Sequence, residues 1–223
     1  VAATSPGVLM VAHVVRFFDG YRAIRERVDA GSLGTILTAR AERISPAPKP
    51  STWWHDESKS GGVLVDFSIH DFDQLNLFLG TPLVASARRA RQDGPIEITV
   101  DYEGGGTGQV LSFMGMPRDF PFASSIEVLG SLGLADHRFT GAPTGTAGEA
   151  TIPPGNDSYR LVVDGLAIHR VDVANPYARQ AQYFLDCVRD GTDPDFCPTD
   201  AAVLALAVAR AARESLASGH PVP

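Results

Sequence analysis

An acid, an imidazole and a second acid stand at spacings of four and three inside an otherwise apolar run: Asp66, His70 and Asp73 in GGVLVDFSIHDFDQLNLFLG, residues 61–80. In a helix these spacings place the three on one stripe roughly two turns long. Leu64, Phe67, Leu75 and Phe78 flank the stripe on one side and Val65, Ile69, Phe72 and Leu79 on the other, so partial burial is expected. A carboxylate and an imidazole taken out of water must be hydrogen-bonded. The close pairing predicts an imidazole held in one orientation with its protonated form favoured, which suits a general acid/base near neutral pH. A structural histidine capped by a neighbouring acid has the same pattern, and on spacing alone that reading leads, because D-x-x-x-H is short and arises by chance.

Two neighbouring features bear on the choice. Gly61 and Gly62 precede the helix and are expected to let another backbone or a flat ligand approach closely. The loop SPAPKPSTWWHDESKSGG supplies Trp53, Trp54, His55 and Lys59, either a wall suited to stacking on a sugar ring or covering a cofactor, or a loop pinned to the core by its tryptophans. Asp66, His70 and Asp73 with His55 are also conceivable ligands of a divalent ion, but no second cluster has ligand spacing, and no metal is expected.

The elements that must hold these residues can be read from periodicity. VLMVAHVV, residues 8–15, reads as a strand covered on both faces, yet no later run offers it parallel neighbours. A helix follows from Phe18, with Tyr21, Ile24 and Val28 on one face and Gly31 and Gly34 at its end. GTILTARAERI is a strand, and the 61–80 helix is closed by Gly80 and Pro82. IEITVDYE alternates with period two, QVLSFMG and SIEVLGSLGLADHRF continue as strands, and YRLVVDGLAIHRVDV is a hairpin turning at Asp164 and Gly165. GAPTGTAGEATIPPG is a loop of mild low complexity, and NPYARQAQYFLDCVRDG and PTDAAVLALAVARAARESLASG are closing helices. The expected class is α+β: an open, mostly antiparallel sheet with one wet face, plus one orphan strand.

Totals exclude some functions. The 223 residues are 44% hydrophobic, and 19 Lys and Arg against 26 Asp and Glu give a net charge of −7, which argues against a broad nucleic-acid or anionic-membrane surface. Arg88, Arg89 and Arg91 read as a solvated strand face. No apolar run approaches the ~20 residues that span a bilayer, and VAATSPG has no signal-peptide pattern. Cys187 and Cys197 read as packed thiols, so a cytoplasmic location is expected.

Three segments, in order, resemble the C-terminal domain of the Gfo/Idh/MocA oxidoreductases (glucose-fructose oxidoreductase, inositol dehydrogenase, rhizopine catabolism). They are HVVRFFDGYRAIRERVDAGSLG at 13–34, SGGVLVDFSIHDFDQLNLFLG at 60–80, and YARQAQYFLDCVRDG with the alanine-rich helix and SLASGHPV. The resemblance implies a dihydrodipicolinate reductase-like C-terminal fold, with helices on one sheet face and the open face forming homo-oligomers. It implies oxidation or reduction of a CH–OH group in a sugar, polyol or related small molecule with NAD or NADP. His70 would be the proton acceptor and donor, Asp66 would bind substrate and support the imidazole, and Arg16, Trp53 and Trp54 would lie near substrate or cofactor. Asp73 would stand behind them as a supporting residue. The family's N-terminal Rossmann domain is missing: Gly104, Gly105, Gly106 and Gly108 sit between strands as a hairpin, not as a dinucleotide turn. Residues 1–16 are therefore expected to be the last strand of that domain, residues 17–223 the substrate-binding and oligomerisation domain, and the chain a fragment inactive alone. The alternative is a noncatalytic relative that senses a dinucleotide or sugar.

Overall fold

Alternating apolar and polar residues bury one side of each strand, and the segments that carry this pattern pair into one eight-stranded sheet. The computed structural model describes residues 7–49, 53–141, 158–163, 166–168 and 175–223. In chain order its strands are β1 (Ile36–Pro46), β2 (Pro82–Arg89), β3 (Ile96–Tyr102), β4 (Thr107–Met116), β5 (Ala123–Gly130), β6 (Leu134–Thr140), β7 (Ser158–Val163) and β8 (Leu166–Ile168). They lie side by side as β2-β3-β4-β1-β5-β6-β7-β8. Every neighbouring pair is antiparallel except β1 and β4, which run parallel from Thr38 opposite Thr107 to Ile44 opposite Phe113. The expected α+β class, open and mostly antiparallel, is the observed one. Asp164 and Gly165, read as the hairpin turn, and residues 142–157 lie outside the described residues.

The helices are α1 (Asp19–Asp29), α2 (Glu57–Ser60), α3 (Ile69–Leu79), α4 (Pro176–Asp190) and α5 (Thr199–Ser218). On the helix side of the sheet, Ala39 and Ala41 of β1, Ile98 and Val100 of β3, Val110 of β4 and Ile126 and Val128 of β5 are buried against Phe72, Leu75 and Phe78 of α3 and Ala205, Val208, Ala209 and Ala212 of α5. Each large apolar side chain so buried contributes about 1.5–3 kcal/mol of transfer free energy. Gly108 lets β4 come this close to α3, because a Cβ there would meet Leu75 Cδ1 at 2.9 Å. The edge strand β2 is tied on by Ser215 Oγ, which accepts from Ala87 N at 2.9 Å, and by a two-bond bridge between Ala85 and Val222.

The opposite sheet face is wet. Arg40 meets Glu127 at 3.7 Å, Arg138 meets Glu42 at 2.9 Å, and Arg88 Nε donates to Glu97 at 2.7 Å. The apolar run 8–15 pairs with none of these strands. Residues 8–13 form no ladder among the described residues, and Val14–Phe17 closes a 3-10 turn instead. A strand is defined by the partners that take its N–H and C=O groups, and here the run turns locally, with His13 N on Val11 O and Val14 N on Ala12 O, both at 2.9 Å.

Candidate active site

Gly61 and Gly62 set the geometry of the polar stripe. Both have positive φ, 79° and 72°, and Gly62 caps the following turn with ψ −171°. A Cβ at Gly61 would strike Val65 at 2.6 Å, and one at Gly62 would meet Glu57 at 2.8 Å. The glycines thus admit the chain's own side chains, and positive φ is what requires them; the sequence reading gave that close approach to another backbone or a ligand.

The segment read as one helix is two. Val63–Phe67 forms a π-helical turn, with Ser68 N bonded to Val63 O at 2.8 Å, and α3 begins only at Ile69. The wider turn takes Asp66 out of line with His70. No hydrogen bond joins them. Burial is the sole cause raising the Asp66 pKa, and Asp66 is not among the groups that shift His70. The expected acid-supported imidazolium is therefore corrected: burial, then the Arg43 charge and then His13, lower the His70 pKa to about 3. The ring is neutral at pH 7. Its Nδ1 is sealed from solvent without a partner, whereas Nε2 is not sealed and the residue as a whole is half-buried.

Strict alternation along β1 sends Arg43 inward with Ala39 and Ala41. There it donates from Nε and Nη2 to Asp71, both at 2.8 Å, with Asp71 fully buried. Burial alone would lower the Arg43 pKa, but the Asp71 carboxylate outweighs it and the net shift is upward. The guanidinium also lies 5.7 Å over the Phe67 ring and 5.8 Å over that of Phe122. Neither Arg43 nor Asp71 was singled out from sequence, although an arginine on the inward parity of an alternating strand demands a buried acid.

Arg16 and Asp73 form a second bidentate pair. Arg16 Nε and Nη2 donate to Asp73 at 2.8 and 2.6 Å, and Nη1 donates to Phe196 O at 2.7 Å. Arg16 is 3% exposed, so the side chain expected near substrate or cofactor has its donors engaged within the fold. Asp73, expected as a supporting residue, holds it. His13 lies beside them, 4% exposed, with Nδ1 3.8 Å from Asp73 Oδ2 and its ring edge-on to His70 at 6.2 Å between centroids. Burial lowers its pKa, Asp73 opposes and Arg16 adds to the lowering.

Asp66 faces an open pocket with Trp54, Glu57, Gly62, Ser112 and Phe113 in its wall. His70 is not part of that wall. Trp54 and Trp53 are 44% and 54% exposed, and their rings meet edge-on at 5.8 Å; neither pins the loop to the core. Among the described residues no three His, Cys, Asp or Glu side chains gather as a metal site, and His55 instead contacts Pro48 O at 2.6 Å. Both cysteines are free and buried, and no helix among the described residues is long and apolar enough to cross a membrane.

Known proteins share this architecture. Over 96% of its length the chain is 26% identical to the scyllo-inositol 2-dehydrogenase (NAD(+)) of Bacillus subtilis, covering 62% of that protein. It is 30% identical to the myo-inositol 2-dehydrogenase of Thermotoga maritima over 43% of the chain and 26% of that protein. Two solved structures superpose on 96% of the chain and 63% of their own. These are an aldose-aldose oxidoreductase from Caulobacter crescentus complexed with glycerol (TM-score 0.75, 18% identity) and a myo-inositol dehydrogenase from Corynebacterium glutamicum (TM-score 0.70, 23% identity). The chain thus spans about three fifths of the length of these structures and of the Bacillus relative. The model of the GFO/IDH/MocA C-terminal domain matches residues 21–136, more than half of the chain, and the chain belongs to this family.

Proposed function

We propose that this chain is the substrate-side domain of an NAD(P)-dependent oxidoreductase acting on a CH–OH group of a sugar or polyol, with His70 as proton acceptor and donor and Asp66 as a substrate anchor. The observation that carries the reading is two polar groups without protein partners, Asp66 and the neutral His70 ring, within one turn of a segment that opens on a positive-φ glycine pair. The inositol dehydrogenases among its relatives support a polyol as substrate and NAD(P) as cofactor.

Hydride acceptance is the chemistry a nicotinamide ring supplies when bound. The residues described offer no cradle for the phosphates of such a cofactor. Gly104 to Gly106 turn β3 into β4, with Tyr102 N bonded to Gly106 O at 3.0 Å, and open no helix. The phosphates would be held by a domain beyond this chain. What the chain supplies is proton management. As charge gathers on an alcohol oxygen, the neutral His70 takes its proton at Nε2. The negative oxygen offsets the burial that, with the smaller repulsion from Arg43, otherwise keeps the ring neutral. Asp66, desolvated and without a donor in the protein, accepts from a substrate hydroxyl, and exposed Trp54 offers an apolar face to a sugar ring. A cytoplasmic setting accords with two free buried thiols, and the wet sheet face is where copies of the chain would associate.

The test uses the polypeptide that includes a dinucleotide-binding domain. NAD+ and NADP+ reduction are followed with a panel of inositols, aldoses and other polyols, for wild type and His70→Ala. Turnover lost in the variant, with dinucleotide binding retained, supports the reading. Turnover near the wild-type rate in His70→Ala overturns the assignment of the proton acceptor, and binding without turnover by the wild-type protein points to the sensing relative.

A further inference from the structure

His70 Nε2 can accept a proton only if the neutral ring carries its own hydrogen on Nδ1, and that nitrogen is sealed with no acceptor. A buried N–H left unpaired costs about 1–3 kcal/mol. The acid expected to orient the ring, Asp66, does not reach it. The neighbouring imidazole is His13, whose Nδ1 and Nε2 are likewise sealed and unpartnered and whose ring stands edge-on to His70 at 6.2 Å. His13 Nδ1 lies 3.8 Å from Asp73 Oδ2. Asp73 is itself fixed by the two-bond contact with Arg16.

We propose that His13 is the positioning residue for His70: it accepts the His70 Nδ1–H at its Nε2 while directing its own Nδ1–H at Asp73, and so leaves His70 Nε2 free as the proton acceptor. The inference deepens the proposed function and rests on it. The rings stand edge-on with centroids 6.2 Å apart, and the contact requires them to rotate toward each other. When an alcohol proton arrives at His70 Nε2, the proton stays there and the Nδ1–H bond to His13 stabilises the resulting imidazolium. No proton passes through His13. The logic is that of a base held in one tautomer by a third group behind it. The charged groups that act on the pair are Arg43 from β1 on His70, and Asp73 from α3 and Arg16 from the 3-10 turn on His13. Arg43 is bonded to Asp71 and Arg16 to Asp73, yet Arg43 still opposes a proton on His70 and Arg16 one on His13, whereas Asp73 favours one on His13.

The experiment has two readouts. In the 223-residue chain, ring 15N shifts of His70 report the tautomer without any need for turnover. Wild type and His13→Gln, whose amide oxygen accepts in place of the ring nitrogen, are expected to hold His70 as Nδ1–H, and His13→Phe to give a mixed or reversed tautomer. An Nδ1–H tautomer unchanged in His13→Phe overturns the proposal; should that variant not fold, His13→Leu is read in the same way. In the polypeptide with its dinucleotide domain, His13→Phe is expected to lower kcat for polyol oxidation about tenfold or more with KM within about threefold, and His13→Gln to restore most of it. A loss confined to KM would also count against the proposal. If no polyol is turned over by the wild-type enzyme, the proposed function has failed, and the tautomer measurement still decides the role of His13.

Discussion

Asp73 receives two hydrogen bonds from Arg16 across 57 residues of sequence, at 2.8 and 2.6 Å, and so fastens the 3-10 turn after the first apolar run to the middle of α3. Both side chains are about 1% exposed. Breaking such a pair leaves a buried charge without its counterpart, which costs about 3–5 kcal/mol, whereas replacing both members with apolar groups is often near neutral. Asp73→Ala is therefore expected to destabilise the chain by about 3–5 kcal/mol in urea unfolding, and Arg16→Met with Asp73→Leu to recover most of that loss. Equal destabilisation in the double variant would show that the pair's worth lies in geometry that apolar packing does not replace.

A second prediction follows from the neutral His70. Its folded-state pKa, about 3, lies below the ordinary 6.5, so in the acid range the unfolded chain binds the proton more readily. The stability tied to a neutral ring is fully present above about pH 6.5 and is lost progressively as pH falls toward about 3. At pH near 4.5 this amounts to about 2–3 kcal/mol. His70→Phe removes the linkage. Relative to wild type, the variant is expected to gain stability by that amount between about pH 7 and pH 4.5, measured by urea unfolding at each pH. A constant difference across the range would mean that His70 binds its proton as readily in the folded chain as in the unfolded one.

Much of this architecture was legible because burial writes period two into strands and 3.6 into helices. The alternation of Ile96, Ile98, Val100 and Tyr102 became β3, and Asn175, Pro176 and Gly191 bracketed α4, with Asn175 accepting from Tyr177 N and Ala178 N. Non-local events left weaker traces. The parallel seam of β1 with β4 joins segments about seventy residues apart, and nothing in either segment names its partner. The π turn was invisible because one extra residue in a turn changes no residue type, yet it is what separates Asp66 from His70. Two signals were present and unread. Arg43 shares inward parity with two buried alanines, and His13 is the lone polar residue of VLMVAHVV; each is a polar group where periodicity or composition asks for an apolar one.

Asp66 gives a third prediction. A desolvated carboxylate with no donor in the protein weakens the fold slightly, which is the pattern of a residue kept for a ligand. Asp66→Asn is expected to leave unfolding stability unchanged or raise it by up to about 1 kcal/mol. Under the proposed function, in a polypeptide that includes a dinucleotide-binding domain, it should raise KM for the polyol about tenfold or more, the worth of a charge-assisted hydrogen bond. A clear loss of stability would give Asp66 a structural role instead.

The two adjacent tryptophans separate cleanly by position. Trp54 is in the wall of the pocket that Asp66 faces, whereas Trp53 is not and is the more exposed of the two. Trp54→Ala is expected to raise KM severalfold while changing unfolding stability by less than about 0.5 kcal/mol, and Trp53→Ala to change neither by a comparable amount. Steady-state kinetics on both variants decides the matter: equal effects would mean that the ligand covers the whole loop, and no effect from Trp54→Ala would remove the pocket from the binding site.

The open sheet face supplies the last prediction. Among its described charges Arg40 is matched to Glu127, Arg138 to Glu42 and Arg88 to Glu97, and Leu129 of β5 rises from it at 39% exposure. Such a face tolerates water in a monomer and can also lie against a second copy with these paired charges kept paired. If copies of the chain associate there, Leu129→Glu places a fresh carboxylate beside Glu127, two positions away on the same face, and the repulsion is doubled at a two-fold interface. The variant is expected to sediment as a smaller species than wild type at equal concentration, while its unfolding stability as a separate chain changes by less than about 0.5 kcal/mol. An unchanged sedimentation coefficient in an oligomeric wild type would move the interface to another surface, and a wild type that sediments as a monomer would remove the need for one.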